Sequence, residues 1–127
     1  MVLAVLIYIG SVMIILWGIG HIFPTKSIVK GFGVLSDDNK KIITMEWIAE
    51  GMALIFLGLL PLFTVIFSDS NESAFYISIL ASAVMLIVMA ILSAFTGART
   101  SVLPMKMCPF IKTLGAILMI LGVVIPM

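Results

Sequence analysis

Few side chains in this 127-residue chain can do chemistry, and most of them sit in apolar surroundings. Glu46 and Glu50 belong to the run Met45-Glu-Trp-Ile-Ala-Glu-Gly51. Residues at i and i+4 stack on one face of a helix, so the two carboxylates form an acidic pair one turn apart. His21 closes the first apolar segment. Two carboxylates and an imidazole are the parts of an acid–base centre, which makes Glu50, Glu46 and His21 the catalytic candidates. Arg99 and Lys112 supply cations, and Trp17 and Trp47 supply aromatic surface close by in the pattern. Glu50, Glu46, His21, Trp17, Trp47, Arg99 and Lys112 are therefore the candidate ligand-binding set. One histidine and one cysteine make no metal centre, and Cys108 has no second cysteine with which to form a disulfide within the chain. The ten methionines are not clustered at ligand spacing and read as packing residues.

The elements that must position these groups follow from composition. Hydrophobic residues make up 63% of the chain and charged residues 10%, with a mean hydropathy of +1.35. A soluble domain of this size cannot hide so much apolar surface. A soluble enzyme and a secreted disulfide scaffold are excluded on that ground. The net charge of +1 offers no basic field, so no nucleic-acid partner is expected. A dehydrogenase is not indicated either, because no glycine-rich phosphate loop follows a strand.

Four apolar segments remain, at about 1–22, 42–67, 73–97 and 107–127. Each is long enough for a helix to cross a hydrocarbon core of about 30 Å. None alternates as a barrel strand does, and lipid cannot satisfy open backbone groups. The expected fold is all-α, one four-transmembrane-helix bundle over residues 1–127. The first segment lacks a basic n-region and a small-residue cleavage site, so it reads as a retained helix rather than a signal peptide.

Charge placement orients the bundle. Lys26, Lys30, Lys40 and Lys41 lie in the first connection, and Arg99, Lys106 and Lys112 lie in or just after the third. The second connection holds only Asp69 and Glu72. A bias of seven basic residues to none places loops 1–2 and 3–4 in the cytoplasm and both termini outside. The expected location is a bacterial cytoplasmic (inner) membrane. Gly31-Phe-Gly33 and Ser36-Asp-Asp-Asn39 are turn formers, Ser36 or Asp37 is placed to cap the second helix, and an interfacial piece fits the first loop.

Depth then separates the ionisable groups. Glu46 reads as a headgroup-level charge near a helix start, favoured by the macrodipole. Glu50 lies about 12 Å along the helix from Ile42, inside the hydrocarbon. Cys108, Lys112, Gly115, Met119, Gly122 and Pro126 repeat at three- and four-residue steps and form one stripe. Its glycines mark a packed face, so Lys112 points inward or along the seam and wants a carboxylate, Glu50 or Glu46. Ser78, Ser82, Met85, Met89, Ser93 and Thr96 form a mildly polar stripe on the third helix, suited to the interior. Against these readings stand plainer ones: a structural ion pair for Glu50, topology determinants for Arg99 and Lys112, an interfacial side chain for His21, and an aromatic belt for Trp17 and Trp47.

The stretch Gly18-Ile-Gly-His21 at the end of the first helix resembles the DoxX-like group of small bacterial four-helix membrane proteins. So does the acidic start of the second helix running into Glu50-Gly-Met-Ala-Leu-Ile-Phe-Leu-Gly58. The resemblance implies a four-helix membrane fold, and for some members of that group a place beside quinone-linked oxidoreductases or thiol-stress complexes.

Three functions are in play. The leading expectation is an accessory or ligand-binding membrane protein rather than an enzyme. Its cytoplasmic-leaflet cup of Glu46, Glu50, His21, Arg99 and Lys112 would hold a lipid, a quinone or another amphiphile, and no other cofactor is expected. The alternatives are a proton-coupled small transporter using Glu50 and an intramembrane acid–base enzyme using Glu50, Glu46 and His21. Membrane lipid is the expected partner. Gly10, Gly18, Gly51 and Gly58 are available for contacts within the bundle, between copies in a homo-oligomer, or within a larger membrane complex.

Overall fold

The computed structural model describes residues 2–70 and 72–125, so Pro126 of the last-helix stripe lies outside the described residues. Its elements are α1 (Val2–Ile22), α2 (Thr25–Gly31), α3 (Asp37–Phe67), α4 (Ser73–Phe95), a single 3-10 turn (Gly97–Arg99) and α5 (Leu103–Val124). Among the described residues there is no strand. Four helices, all but α2, are long and apolar enough to cross a membrane, and the chain is a multi-pass membrane protein.

Local chemistry sets where each helix stops. Proline disfavours helical backbone in the residue before it, and α1 ends just ahead of Phe23-Pro24. The short α2 begins directly after Pro24, with the Thr25 hydroxyl donating back to the Ile22 carbonyl. Gly33 then turns the chain with φ +80°, a region open to glycine at little steric cost. Ser36 caps α3: its Oγ accepts from the Asn39 N–H at 3.2 Å, and Asp37 and Asp38 occupy the favourable first turn. Capping pulls the start of α3 five residues ahead of the apolar boundary at Ile42. At 31 residues α3 is about 46 Å long, more than a hydrocarbon core needs, so its charged first turns project beyond it.

The other connection shows the same effect. Thr96 ends α4 with its hydroxyl on the Leu92 carbonyl, two residues short of the hydropathy boundary. Pro104, in the first turn, suits α5 to begin at Leu103 rather than at Met107. Lys106 is solvated at the helix start and masks that start from any reading based on hydropathy alone.

The four long helices form a ring in which α1 packs on α3 and α5, and α4 closes the ring on the same two. Pairs α1/α4 and α3/α5 thus face each other across the centre. Ile7, Ile14, Leu54, Leu57, Ile79, Leu86, Ala116 and Met119 fill the middle. The opposite surfaces, with Leu16, Met52, Phe56, Ile77, Leu92 and Phe110, are exposed and apolar, as lipid contact requires.

Glycines set how closely the helices approach. A Cβ at Gly58 would stand 2.7 Å from the Ser11 carbonyl oxygen, and one at Gly18 would stand 2.8 Å from that of Gly51. The backbones of α1 and α3 therefore meet along a seam with no room for side chains, the small-residue packing typical of membrane helices. Gly18, Gly51 and Gly58 are used within the bundle, as is Gly10 against the Gly115 carbonyl of α5. On the α4 stripe, Ser82 and Ser93 are buried but Met85 and Thr96 are exposed. The packed face follows Ile79, Ser82, Ala83, Leu86, Ala90 and Ser93 instead. Gly58→Ala should lower the thermal unfolding midpoint in detergent, at an overpacking cost of about 1–3 kcal/mol, while Gly20→Ala, which meets nothing within 4 Å, should leave it unchanged or raise it.

Candidate functional site

The inward lysine is the centre of the site. Lys112 lies nine residues into α5, and its side chain is completely buried. The glycine stripe around it turns that face of α5 to the bundle, with Cys108, Gly115, Met119 and Gly122 buried alongside. An ammonium at this depth needs acceptors. Lys112 Nζ donates to Glu50 Oε1 at 2.6 Å and to Ser93 Oγ at 2.8 Å. Since α3 and α5 face each other across the ring, this ion pair spans the bundle rather than sealing one seam. Ser93 passes its own proton to the Met89 carbonyl at 2.8 Å, which leaves its lone pairs free for the ammonium.

The second oxygen of Glu50 faces α1. Oε2 stands 3.5 Å from Nε2 of His21, an electrostatic contact too long for a good hydrogen bond. His21 is buried, and its ring is stacked on Trp47 with centroids 4.1 Å apart and an interplanar angle of 11°. Trp47 also donates from its indole N–H to the His21 backbone carbonyl at 2.6 Å. That carbonyl lies in the last turn of α1, where backbone acceptors lack helical partners, so the indole acts as a cap supplied from α3. Each of the four long helices contributes one side chain to the cluster: His21, Glu50, Ser93 and Lys112.

Two of the expected members lie apart. Glu46 shares the face of Glu50, but one turn nearer the helix start it is exposed and makes no ion pair among the described residues. Arg99 is exposed on the 3-10 turn, with its guanidinium 5.5 Å from the centre of the Phe95 ring. The turn that ends α4 carries it outward, away from the carboxylates. Of the five charged groups expected in the cup, three meet in one cluster, buried His21 and Lys112 on half-buried Glu50, with Glu46 and Arg99 outside their contacts. Ser93 is the member that the charge pattern did not single out. Its signal was a hydroxyl on the stripe facing Lys112, weak by itself because membrane serines usually bond their own helix.

Two hollows flank the cluster. A cavity of about 310 Å³ lies between α1, α2 and the starts of α3 and α5, walled by Trp17, Gly20, His21, Pro24, Ile28, Trp47, Met105 and Cys108, with few polar atoms. A wider groove of about 550 Å³ runs along the α3/α4 seam and contains Glu46, Glu50, Ser93 and Lys112. Trp47 and Met105 border both, so they form the partition between an apolar chamber and a charged one. The indole nitrogen of Trp17 is buried without an acceptor among the described residues. No cluster of three or more metal-ligating side chains exists among the described residues.

Removing one member of the central pair should cost far more than removing both. Glu50→Gln leaves Lys112 buried without a counter-charge and should destabilise the protein by about 3–5 kcal/mol. The double change Glu50→Gln/Lys112→Met should recover most of that loss, and a double-mutant cycle of thermal unfolding in detergent measures the coupling.

Comparison with family models, with curated proteins and with solved structures finds no match to this chain.

Proposed function

We propose that this chain is a non-catalytic membrane protein that binds an amphiphile at the end of the bundle carrying the basic loops. The observation that carries this reading is the pairing of an apolar chamber with a charged groove across one thin partition, Trp47 and Met105. Ligand sites are typically concave and mostly apolar, with a few polar groups that fix orientation. The chamber suits the apolar body of a lipid or a flat hydrophobic molecule such as a quinone, against the faces of Trp17 and Trp47. The polar end would lie toward the unpartnered indole N–H of Trp17, a donor in want of an acceptor beside the chamber. The cluster gives Lys112 two acceptors, Glu50 Oε1 and Ser93 Oγ, and leaves His21 Nε2 without a hydrogen-bond partner among the described residues. In this reading it is a rigid floor and takes no part in chemistry. The resemblance to DoxX-like proteins, a place in the bacterial inner membrane with the basic loops inside, and assembly with lipid or further copies all belong to the same proposal.

The chain's two tryptophans both line the chamber, which makes their emission a direct reporter of its occupancy. Gly20 borders the chamber and has nothing within 4 Å of a Cβ, so Gly20→Leu should place an isobutyl group in it and narrow it. A brominated single-chain amphiphile should quench the wild-type emission saturably. Gly20→Leu should remove the saturable part while the unfolding midpoint holds. Equal saturable quenching in both proteins would refute ligand binding in the chamber.

A second reading, proton handling by Glu50, is favoured by the 3.5 Å approach of His21 Nε2 to its carboxylate. It calls for proton flux into dye-loaded vesicles containing the wild-type chain, lost on His21→Gln. No flux above empty vesicles would dismiss it.

A further inference from the structure

A third concavity, of about 650 Å³, lies between α2 and the start of α3, apart from the chamber and groove described above. Lys26 and Lys30, one turn apart on α2, line it together with Lys40 of α3. Asp37 is the sole acid on its wall. None of the three lysines forms an ion pair among the described residues, although Asp37 and Asp38 are close by in the sequence. Counting Asp37, the concavity therefore carries a net charge of +2, with none of its lysines in an ion pair among the described residues. The hydroxyls of Thr25 and Thr44 on its wall are already committed to the Ile22 and Lys40 carbonyls.

Its surroundings fix the depth. Phe23, Phe32 and Val34, which flank α2 on both sides, are exposed, and Val34 and Phe23 are the two most exposed large apolar side chains among the described residues. Large apolar side chains clustered beside lysines are stable where acyl chains meet headgroups, the environment of interfacial helices. The concavity thus opens at headgroup level, with apolar anchors on its rim and cations inside.

We propose that this concavity binds the phosphodiester headgroup of an anionic lipid, with Lys26, Lys30 and Lys40 as its charged contacts. Phosphate oxygens accept from several ammonium groups at once, and the surplus of two positive charges excludes a zwitterionic headgroup from gaining the same energy. The bound lipid would hold α2 against α3 and leave its acyl chains beside Phe23 and Phe32.

The test follows thermal unfolding of the detergent-solubilised full chain in separate titrations with short-chain phosphatidylglycerol, short-chain phosphatidylcholine and inorganic phosphate. Phosphatidylglycerol should raise the midpoint saturably, and high salt should weaken that response. Phosphatidylcholine and phosphate should leave it unmoved. Each lysine is expected to contribute about fivefold, so Lys26→Gln/Lys30→Gln/Lys40→Gln should weaken the apparent affinity about a hundredfold. Lys106→Gln, on the other basic loop, should not. Because these lysines are exposed and unpaired, the triple variant is expected to fold, and the salt response of the wild type tests the proposal without it. An unaltered response in the triple variant, or an equal response to phosphatidylcholine, would overturn the proposal. An equal response to inorganic phosphate would overturn the lipid as the source of the anion.

Discussion

A primary ammonium buried completely inside a membrane bundle is the constraint around which the rest of the structure is arranged. Lys112 cannot reach water, and an unpaired charge there would cost more than the fold can bear. It must therefore meet a carboxylate on another helix, and Glu50 answers from the helix across the ring. A pair that spans the centre can close only if the intervening helices come near. The glycine seam of α1 on α3 and the Gly10/Gly115 approach of α1 to α5 provide that closeness. Ser93 on α4 then supplies the acceptor that the carboxylate alone leaves wanting. Electrostatics at one level and backbone contact along the seams are thus two faces of one requirement.

The same constraint explains the asymmetry between the ends of the bundle. The far half of the bundle contains the apolar core and, between α3 and α4, the paired hydroxyls of Thr64 and Ser78 at 3.0 Å. The half that carries the charges needs polar neighbours, and polar neighbours pack less completely than methyl groups do. Trp47 repairs part of this loss by stacking on His21 and capping α1 through its indole. What it does not fill remains as the chamber and the groove that Trp47 borders. The hollows are therefore a physical consequence of burying charge near the helix ends, and they are where a ligand has room.

Much of this was legible in the sequence, for identifiable reasons. The four helices followed from hydropathy and length, since lipid leaves few alternatives. The inward aim of Lys112 followed from Gly115 and Gly122 on its stripe, and its need for Glu50 or Glu46 followed from depth. The choice between those two was not legible. They share a face, and one helical turn of axial position, invisible to face arguments, puts Glu50 against Lys112 and leaves Glu46 exposed. Arg99 was misplaced because its position depends on the 3-10 turn, whose path hydropathy does not encode. The contact of Trp47 with His21 joins residues 26 apart in sequence and carries no periodic signal, so an aromatic-belt assignment was the natural expectation for both tryptophans. Helix starts were misjudged in one direction only. Capping by Ser36 and the placement of Pro104 extend α3 and α5 through charged residues that a hydropathy boundary excludes.

The extension of α3 has a structural consequence of its own. Because α3 begins at Asp37, its first turns stand beyond the apolar span and give α2 a surface on which to pack, with Val29 buried against it. Had α3 begun at Ile42, α2 would have had no wall, and Lys26 and Lys30 would have been isolated surface charges. Instead Lys40 joins them across a concavity. Repulsion among three ammonium groups opposes that arrangement, offset in part by Asp37 on the same wall and further by water or by an anion between them. The exposed Phe23, Phe32 and Val34 hold this region at the lipid boundary, where the abundant anions are headgroups. Arg99 and Lys106, the basic residues around the second basic connection, line neither the chamber, the groove nor this concavity, so the grouping of three lysines around one hollow belongs to the first connection.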